Sequence, residues 1–228
     1  MLYLHEIIRI VGAGATPYMD VTADWNRIRV EAGEPVSRLV GTWATIGSTG
    51  NWPEAVNLWE MDGWEHWGEI LDRAYVHRAE DKQLGDWWKK ALEHRSGGFD
   101  RILEPARFSP ARSDLLARKV TGEIFIHELS QVTPGKVPAY LAALEESWLP
   151  IATRHGLTLV GAFANVFNDS EAITVWACAD TRSFVRFGAA ARRDAEILAW
   201  RARAREFCTR WSETLMVPGK KSPIGGAA

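Results

Sequence analysis

The chain has 228 residues, a formal net charge of −2 and a hydrophobic content of 46%. A chain so close to neutrality has no overall field that would favour nucleic acid or an anionic membrane. Its two cysteines, Cys178 and Cys208, exclude a disulfide scaffold, and no apolar run approaches the ~20 residues of a membrane span. We therefore expect a cytoplasmic protein with neither nucleic-acid nor membrane partners.

The first half of the chain predicts a strand, a helix, two strands, a long helical region and a short closing strand. The strands show side-chain alternation with a period of two. The helical region is expected to break near Glu80–Gln83. These elements lie at Leu2–Ile10, 21–32, Arg38–Ile46, Ala55–Glu60, Gly63–His94 and a stretch that ends at Pro105.

The second half predicts the same elements in the same order. Its first helix is the clearest, because apolar residues from Val137 to Ile151 form one helical stripe and Pro150 should kink the far end. In its last helical region, Trp200 and Trp211 are expected to share one face. The elements lie at Glu123–Val132, 137–155, Thr158–Phe167, Ala172–Cys178, Arg182–Ser212 and a stretch that ends at Pro218.

The two halves also resemble each other in sequence. The stretch 2–7 matches 124–129, and 39–44 matches 159–164. Further matches keep the same order while the spacing between copies shrinks steadily along the chain. Shorter loops in the second copy explain such a pattern, whereas chance matches would scatter. We predict two repeats, at 1–110 and 121–220, with a linker near 106–121.

This repeat predicts the fold class. A βαββα unit with its helices on one face of the sheet leaves the other face bare, and a bare apolar face must be buried. Two copies in one chain can cover each other. The predicted class is α+β, with tandem ferredoxin-like βαββα repeats that form a single-chain α/β barrel; exposed helix faces could also pair two chains as a homodimer.

Three short stretches of the second half carry a family resemblance. They are 127–130 (His-Glu-Leu-Ser), 133–136 (Thr-Pro-Gly-Lys) and 173–176 (Ile-Thr-Val-Trp). Together they resemble a NIPSNAP domain, and the first half resembles one more faintly through the internal repeat. The resemblance implies the dimeric α/β-barrel superfamily, which also holds small cofactor-free monooxygenases, lactone isomerases and heme proteins.

A His-Glu pair occupies the same place in both halves. The strand period sends His5 and Glu6 to opposite faces, and likewise His127 and Glu128. Histidine can act as a general acid or base near neutrality, although a neutral core histidine is the alternative. The glutamates could lie buried beside a pocket with a raised pKa, or pair with an arginine at the edge. These four residues are the predicted catalytic residues.

Twelve tryptophans are enough either to line an apolar pocket or to fill a core. The extra tryptophans of the first half suggest a cavity there for a flat apolar ligand, with ordinary core packing as the alternative. The predicted substrate-binding residues are Tyr3, Trp43, Trp59, Trp64, Trp67, Phe125, Phe163 and Trp176.

The arginine-rich stretch from Arg192 to Arg210 is interleaved with acidic residues. This pattern is typical of a solvated, salt-bridged helix face rather than of a nucleic-acid patch.

Several motifs that mark cofactor or metal sites are absent from the sequence, and this absence narrows the possible functions. It has no dinucleotide fingerprint, no phosphate-binding loop and no cysteine pairs with zinc spacing, so we expect no cofactor and no metal. The leading hypothesis is a small-molecule enzyme that acts on a hydrophobic, aromatic or polycyclic substrate by cofactor-free acid–base chemistry. The resemblance supplies the isomerase, cyclase and monooxygenase types. The alternatives are a non-catalytic NIPSNAP-like ligand-binding or interaction protein and a heme-binding α/β-barrel protein.

Overall fold

The structure is a computed structural model that describes residues 1–77 and 80–225. The chain forms two compact units. Unit 1 comprises Met1–Ile102 with Pro218–Ala228, and unit 2 comprises Leu103–Val217. Within the described residues, no helix combines the length and the apolar character that crossing a membrane requires.

The sheet of unit 1 is antiparallel, and its strands agree with the alternation of the sequence. Strand β3 lies between β1 and β2, and it pairs with β1 from Leu2↔Met61 to Arg9↔Glu54. The strands are β1 (Leu2–Ile10), β2 (Arg38–Thr45), β3 (Glu54–Met61) and the first part of β4 (Arg95–Pro105).

The helices of unit 1 follow the predicted order, with a break inside the last helical region. Asp81 caps the helix after the break, because its side chain accepts a hydrogen bond from the backbone N–H of Leu84 at 2.8 Å. The predicted break near Glu80–Gln83 is thereby confirmed, while residues 78 and 79 lie outside the described residues. The helices are α1 (Ala15–Glu31), α2 (Trp64–Leu71), which continues as a π-helical turn (Asp72–Val76), and α3 (Lys82–Leu92).

Unit 2 repeats this arrangement around a central strand that carries Glu128. The strand β5 pairs with β7 on one side and with β8 on the other, and β6 pairs with the far edge of β7 and with residues 103–105 of β4. The strands are β5 (Ile124–Val132), β6 (Leu157–Asn165), β7 (Glu171–Cys178) and β8 (Cys208–Pro218).

A glycine bulge recurs in the second strand of each unit. The strand register shifts between Leu159 and Gly161 in β6, as it does between Leu39 and Gly41 in β2. At each bulge the ring of the aromatic residue two positions later covers the glycine, in the space where a Cβ would stand. Glycine is required there because any side chain would collide with a buried aromatic ring.

The helices of unit 2 lie between these strands. Pro150 stands in the first turn of α6, directly after a π-helical turn, so the predicted helix from 137 is interrupted just before this proline. The helices are α4 (Arg112–Ala117), α5 (Val137–Ala143), the π-helical turn (Leu144–Trp148), α6 (Leu149–Arg154), α7 (Thr181–Ala190) and α8 (Ala195–Ala204).

The predicted extension of the last helical region to Ser212 is wrong. Helix α8 ends at Ala204, and Trp211 belongs to strand β8, opposite Ser130 of β5. The closing strands β4 and β8 are also longer than predicted, at 11 residues each. The pairing of β8 with β5, some eighty positions earlier in the chain, cannot be detected from the periodicity of the local sequence. This pairing overrides the helical pattern of the residues before Ser212.

Candidate active site

The predicted histidines and glutamates lie on opposite faces of their strands, as the alternation requires. Residues directly opposite each other in an antiparallel pair point to the same side. Glu128 is opposite Thr174 and Glu213, whereas His127 is opposite Val175 and Thr214. His127 is buried, at 3% exposure. The structure therefore separates His127 from the site that forms around Glu128.

Glu128 is a buried carboxylate held by two side-chain donors. The indole N–H of Trp176 donates to Glu128 Oε2 at 2.8 Å, and the hydroxyl of Thr174 donates to the same oxygen. Burial raises the pKa of Glu128 above its ordinary value, while these hydrogen bonds act in the opposite direction. Glu128 is thus held in one orientation as a carboxylate with strengthened basicity.

A second carboxyl group lies beside the first. Glu213 of β8 is the cross-strand neighbour of Glu128, and a hydrogen bond joins the two side chains. Burial and then the charge of Glu128 raise the pKa of Glu213 to about 7, although the nearby guanidinium of Arg201 opposes them. Two carboxylates this close resist ionising together, so the pair holds one proton below neutrality.

A cavity of about 460 Å³ opens next to Glu128. One wall is aromatic, with Trp148 and Trp200 stacked at 6.0 Å between centroids and Tyr140 stacked on Trp200 at 6.3 Å. The other lining residues come from the end of α8 and the start of β8: Arg201, Ala204, Arg205, Cys208, Thr209, Arg210 and Trp211. We call this space the unit 2 cavity. A flat aromatic wall that faces a carboxylate and three arginines suits an aromatic ligand with a reactive hydrogen.

Tyr140, which lines the cavity, is paired with Ser130 of β5. The Ser130 and Tyr140 hydroxyls are 3.1 Å apart. Burial, with the charge of Glu128 added, raises the pKa of Tyr140, so its hydroxyl keeps its proton at neutral pH. Tyr140 can therefore donate a hydrogen bond to a ligand oxygen.

Unit 1 contains the counterpart of this cluster. Glu6 Oε2 accepts hydrogen bonds from Trp59 Nε1 at 2.7 Å and from Asn57 Nδ2 at 3.0 Å. Tyr18 stands near it as Tyr140 does near Glu128, with its hydroxyl 2.9 Å from Asn57 Nδ2. Burial and then the charge of Asp100 raise the pKa of Glu6.

The guanidinium that acts on the glutamate comes from a different position in each cluster. In unit 1, Arg95 is buried at the start of β4, with its guanidinium 5.2 Å from the ring centroid of Trp88 and 5.9 Å from that of Tyr18. Its positive charge acts on Glu6. In unit 2, the first residue of the matching strand is Cys208, and that position carries no charge. In unit 2 the guanidinium that acts on Glu128 is instead that of Arg201, which lines the cavity together with Glu128.

The remaining predicted binding residues do not join the unit 2 cavity. Tyr3 donates to Glu60 at 2.8 Å on the face of β1 opposite Glu6. Trp64, which is 48% exposed, and Trp67 meet edge-on at 5.4 Å, and Trp64 lines an open cleft of about 720 Å³ in unit 1. Three others are buried core side chains: Trp43, Phe125 and Phe163.

Sequence reasoning identified Glu128 and Trp176 but missed Glu213, Tyr140 and Arg201. The spacing of Tyr18 and Tyr140 behind the two His-Glu pairs was the available signal for the tyrosines. In residues 1–77 and 80–225, no group of three or more His, Cys, Asp or Glu side chains is arranged to hold a metal ion.

No family model matches the sequence, and no curated protein sequence matches it. Two solved structures resemble 95% of this chain. One is a candidate monooxygenase from Lactobacillus acidophilus NCFM, with 8% identity, 93% of that chain covered and a TM-score of 0.64. The other is an anthrone oxidase-like protein, with 10% identity, 90% of that chain covered and a TM-score of 0.63.

A NIPSNAP domain protein from Burkholderia xenovorans resembles 49% of this chain and 100% of its own, with 21% identity and a TM-score of 0.39. The two longer matches show the fold alone, a mixed α+β fold with an antiparallel sheet of the ferredoxin-like kind. The predicted α+β, ferredoxin-like fold class is thereby confirmed.

Proposed function

We propose that this protein is an enzyme that removes a proton from a hydrophobic, aromatic or polycyclic small molecule bound in the unit 2 cavity. The observation that carries the proposal is the buried Glu128–Glu213 pair beside a tryptophan-walled cavity of about 460 Å³. A carboxylate whose basicity is raised by burial, and which faces a space for substrate, is suited to general base catalysis.

Glu128 is the proposed base, because it lines the cavity and Glu213 does not. Its carboxylate takes a proton from a carbon or hydroxyl acid next to an aromatic ring or carbonyl group. The electron pair of the broken bond stays on the substrate as an enolate or phenolate. The guanidinium of Arg201, which also lines the cavity, is placed to stabilise that negative charge.

Three outcomes follow from this anion. Return of the proton to another carbon gives isomerisation, and attack on an electrophilic carbon of the same molecule gives cyclisation. Molecular oxygen can instead accept electrons from the anion, so that a methylene group and O₂ give a carbonyl group and water. Oxygenation is included because the proteins that share this fold include the candidate monooxygenase and the anthrone oxidase-like protein. The proposal gives no role in this cavity to His5 or His127.

The test measures proton removal itself, whichever outcome follows. 1-Tetralone, a bicyclic aromatic ketone, is incubated with the protein in D₂O, and loss of its C2 hydrogens is followed by NMR. We expect Glu128→Gln to lower the protein-dependent exchange rate by about 100-fold or more. Glu6→Gln makes the same change in unit 1 and should leave the rate within about twofold of the wild-type rate.

Two results would count against the enzyme. Exchange that survives Glu128→Gln would remove Glu128 as the base. Binding of 1-tetralone, seen as a change in tryptophan fluorescence, without any accelerated exchange would favour the non-catalytic ligand-binding alternative.

A further inference from the structure

The unit 2 cavity carries more positive than negative charge. Arg201, Arg205 and Arg210 line it, and among the described residues its one acidic lining residue is Glu128, whose pair with Glu213 carries a single negative charge below neutrality. A mostly apolar cavity with an excess of positive charge at one side concentrates and orients anionic ligands.

Two of these arginines lie on one face of the same helix end. Arg201 and Arg205 are four positions apart, with Ala204 between them also lining the cavity. Arg201 is held in place: its Nη1 donates to the carbonyl of Ala191 at 3.0 Å, and its guanidinium lies 5.7 Å from the ring centroid of Trp211. Its charge acts on Glu128.

Arg205 differs from Arg201 and Arg203 of the same helix end in having no bound partner. Its side chain makes no ion pair or hydrogen bond within the residues that the structure describes, although it is exposed at the cavity edge. By contrast, Arg203 donates to Glu146 at 3.1 Å, and Arg154 pairs with Glu196 at 2.6 Å. The prediction of a salt-bridged face therefore describes Arg203 and Glu196, while Arg205 is available to a ligand.

The position of Arg205 separates it from the carboxylate pair. It lies one helical turn, about 6 Å, beyond Arg201 along α8. An anionic group bound to Arg205 would lie away from Glu128. The aromatic ring system of the same ligand would then lie between Trp148 and Trp211. In unit 1 the matching helix ends with Leu92, and the basic residues of its last turn are Lys89 and Lys90.

We propose that the substrate is an aromatic molecule with an anionic substituent, such as a carboxylate, which Arg205 binds at the edge of the unit 2 cavity. This inference rests on the proposed function for the place of the reacting hydrogen at Glu128. A guanidinium binds a carboxylate through two parallel hydrogen bonds, which fixes both the register and the plane of the ligand.

The test uses two probes that do not react. 1-Naphthoate and 1-naphthamide have nearly the same shape and differ in charge, and their dissociation constants are measured by calorimetry. We expect the wild-type protein to bind 1-naphthoate about tenfold more tightly than 1-naphthamide. Arg205→Gln should abolish this preference without weakening 1-naphthamide, Arg205→Lys should keep part of it, and Arg203→Gln, the matched control on the same helix, should keep all of it.

Equal affinity for the two probes in the wild-type protein, or a preference that survives Arg205→Gln, would overturn the proposal while leaving the proton-removal function standing. Failure of both probes to bind would overturn it together with the ligand cavity. Loss of 1-tetralone exchange in the Glu128→Gln variant is independent of both results, so the two proposals fail separately.

Discussion

Glu128 in β5 and Glu213 in β8 are direct cross-strand neighbours whose carboxyl groups share a hydrogen bond. Two acidic side chains opposite each other destabilise a sheet when both are charged. The structure retains the pair because a shared proton removes the repulsion, and burial favours the protonated form. The same arrangement leaves Glu128 as the ionised partner, since Thr174 and Trp176 donate to it.

Replacing Glu213 by glutamine should change how stability depends on pH. Because the pKa of Glu213 is raised from 4.5 to about 7 on folding, the folded chain binds the proton more tightly than the unfolded chain. The contribution of the Glu213 carboxyl group to the free energy of unfolding is therefore complete below about pH 4.5, and it is lost as the pH rises through 7. Glutamine cannot ionise, so the Glu213→Gln variant does not lose stability in this way as the pH rises.

Denaturant unfolding at two pH values measures the effect. At ~1.4 kcal/mol per pKa unit, and reduced because the side chain is partly exposed, the advantage of Glu213→Gln over the wild type should grow by about 2 kcal/mol between about pH 5 and about pH 8.5. Glu206→Gln, an exposed change in the turn after α8, serves as the control. An advantage that stays constant with pH would show that Glu213 titrates normally.

Trp176→Phe and Trp59→Phe are a matched pair of variants. Each removes an indole donor from a buried glutamate, Glu128 in unit 2 and Glu6 in unit 1. Both should lower the free energy of unfolding by about 1–3 kcal/mol, because a buried acceptor loses its partner and the core loses volume. Only Trp176→Phe should also alter 1-tetralone exchange. Equal effects of the two variants on exchange would contradict the assignment of the site to unit 2.

Gly161→Ala should destabilise the protein although the change adds only a methyl group. The new Cβ would collide with the ring of Phe163, which is buried and cannot move away. We expect a loss of about 1–3 kcal/mol in the free energy of unfolding. Gly188→Ala in α7 is the control, because its Cβ would meet nothing within 4 Å and should stabilise the helix by up to about 1 kcal/mol. A neutral Gly161→Ala variant would show that the bulge can relax.

The sequence predicted the parts of the site that depend on local pattern. The alternation of β1 and β5 separated the histidines from the glutamates, and it placed Glu128 on the same face as Ser130. The repeat suggested that Trp59 and Trp176 play matching parts, and each donates to the glutamate of its own unit.

The parts that depend on long-range pairing could not be predicted. Glu213 meets Glu128 only because β8 pairs with β5, and the local pattern of the residues just before it, up to Ser212, favoured a helix instead. The tryptophan count suggested a cavity in the first half, where Trp64 lines an open cleft while Trp25, Trp87 and Trp88 pack on one another at 4.8–5.2 Å between centroids. Composition reports how many aromatic rings are present, and only the packing decides whether they fill a core or line a space.

A carbon-13 NMR titration of the glutamate side-chain carboxyls tests the shared proton most directly. Signals of Glu128 and Glu213 are assigned from the Glu128→Gln and Glu213→Gln variants. We predict that one carboxyl of the pair titrates near pH 7 and that replacing its partner moves the survivor to a lower pKa. If both carboxyls finish titrating below about pH 5.5, as isolated glutamates do, the buried pair does not share a proton and the proposed base loses its basis.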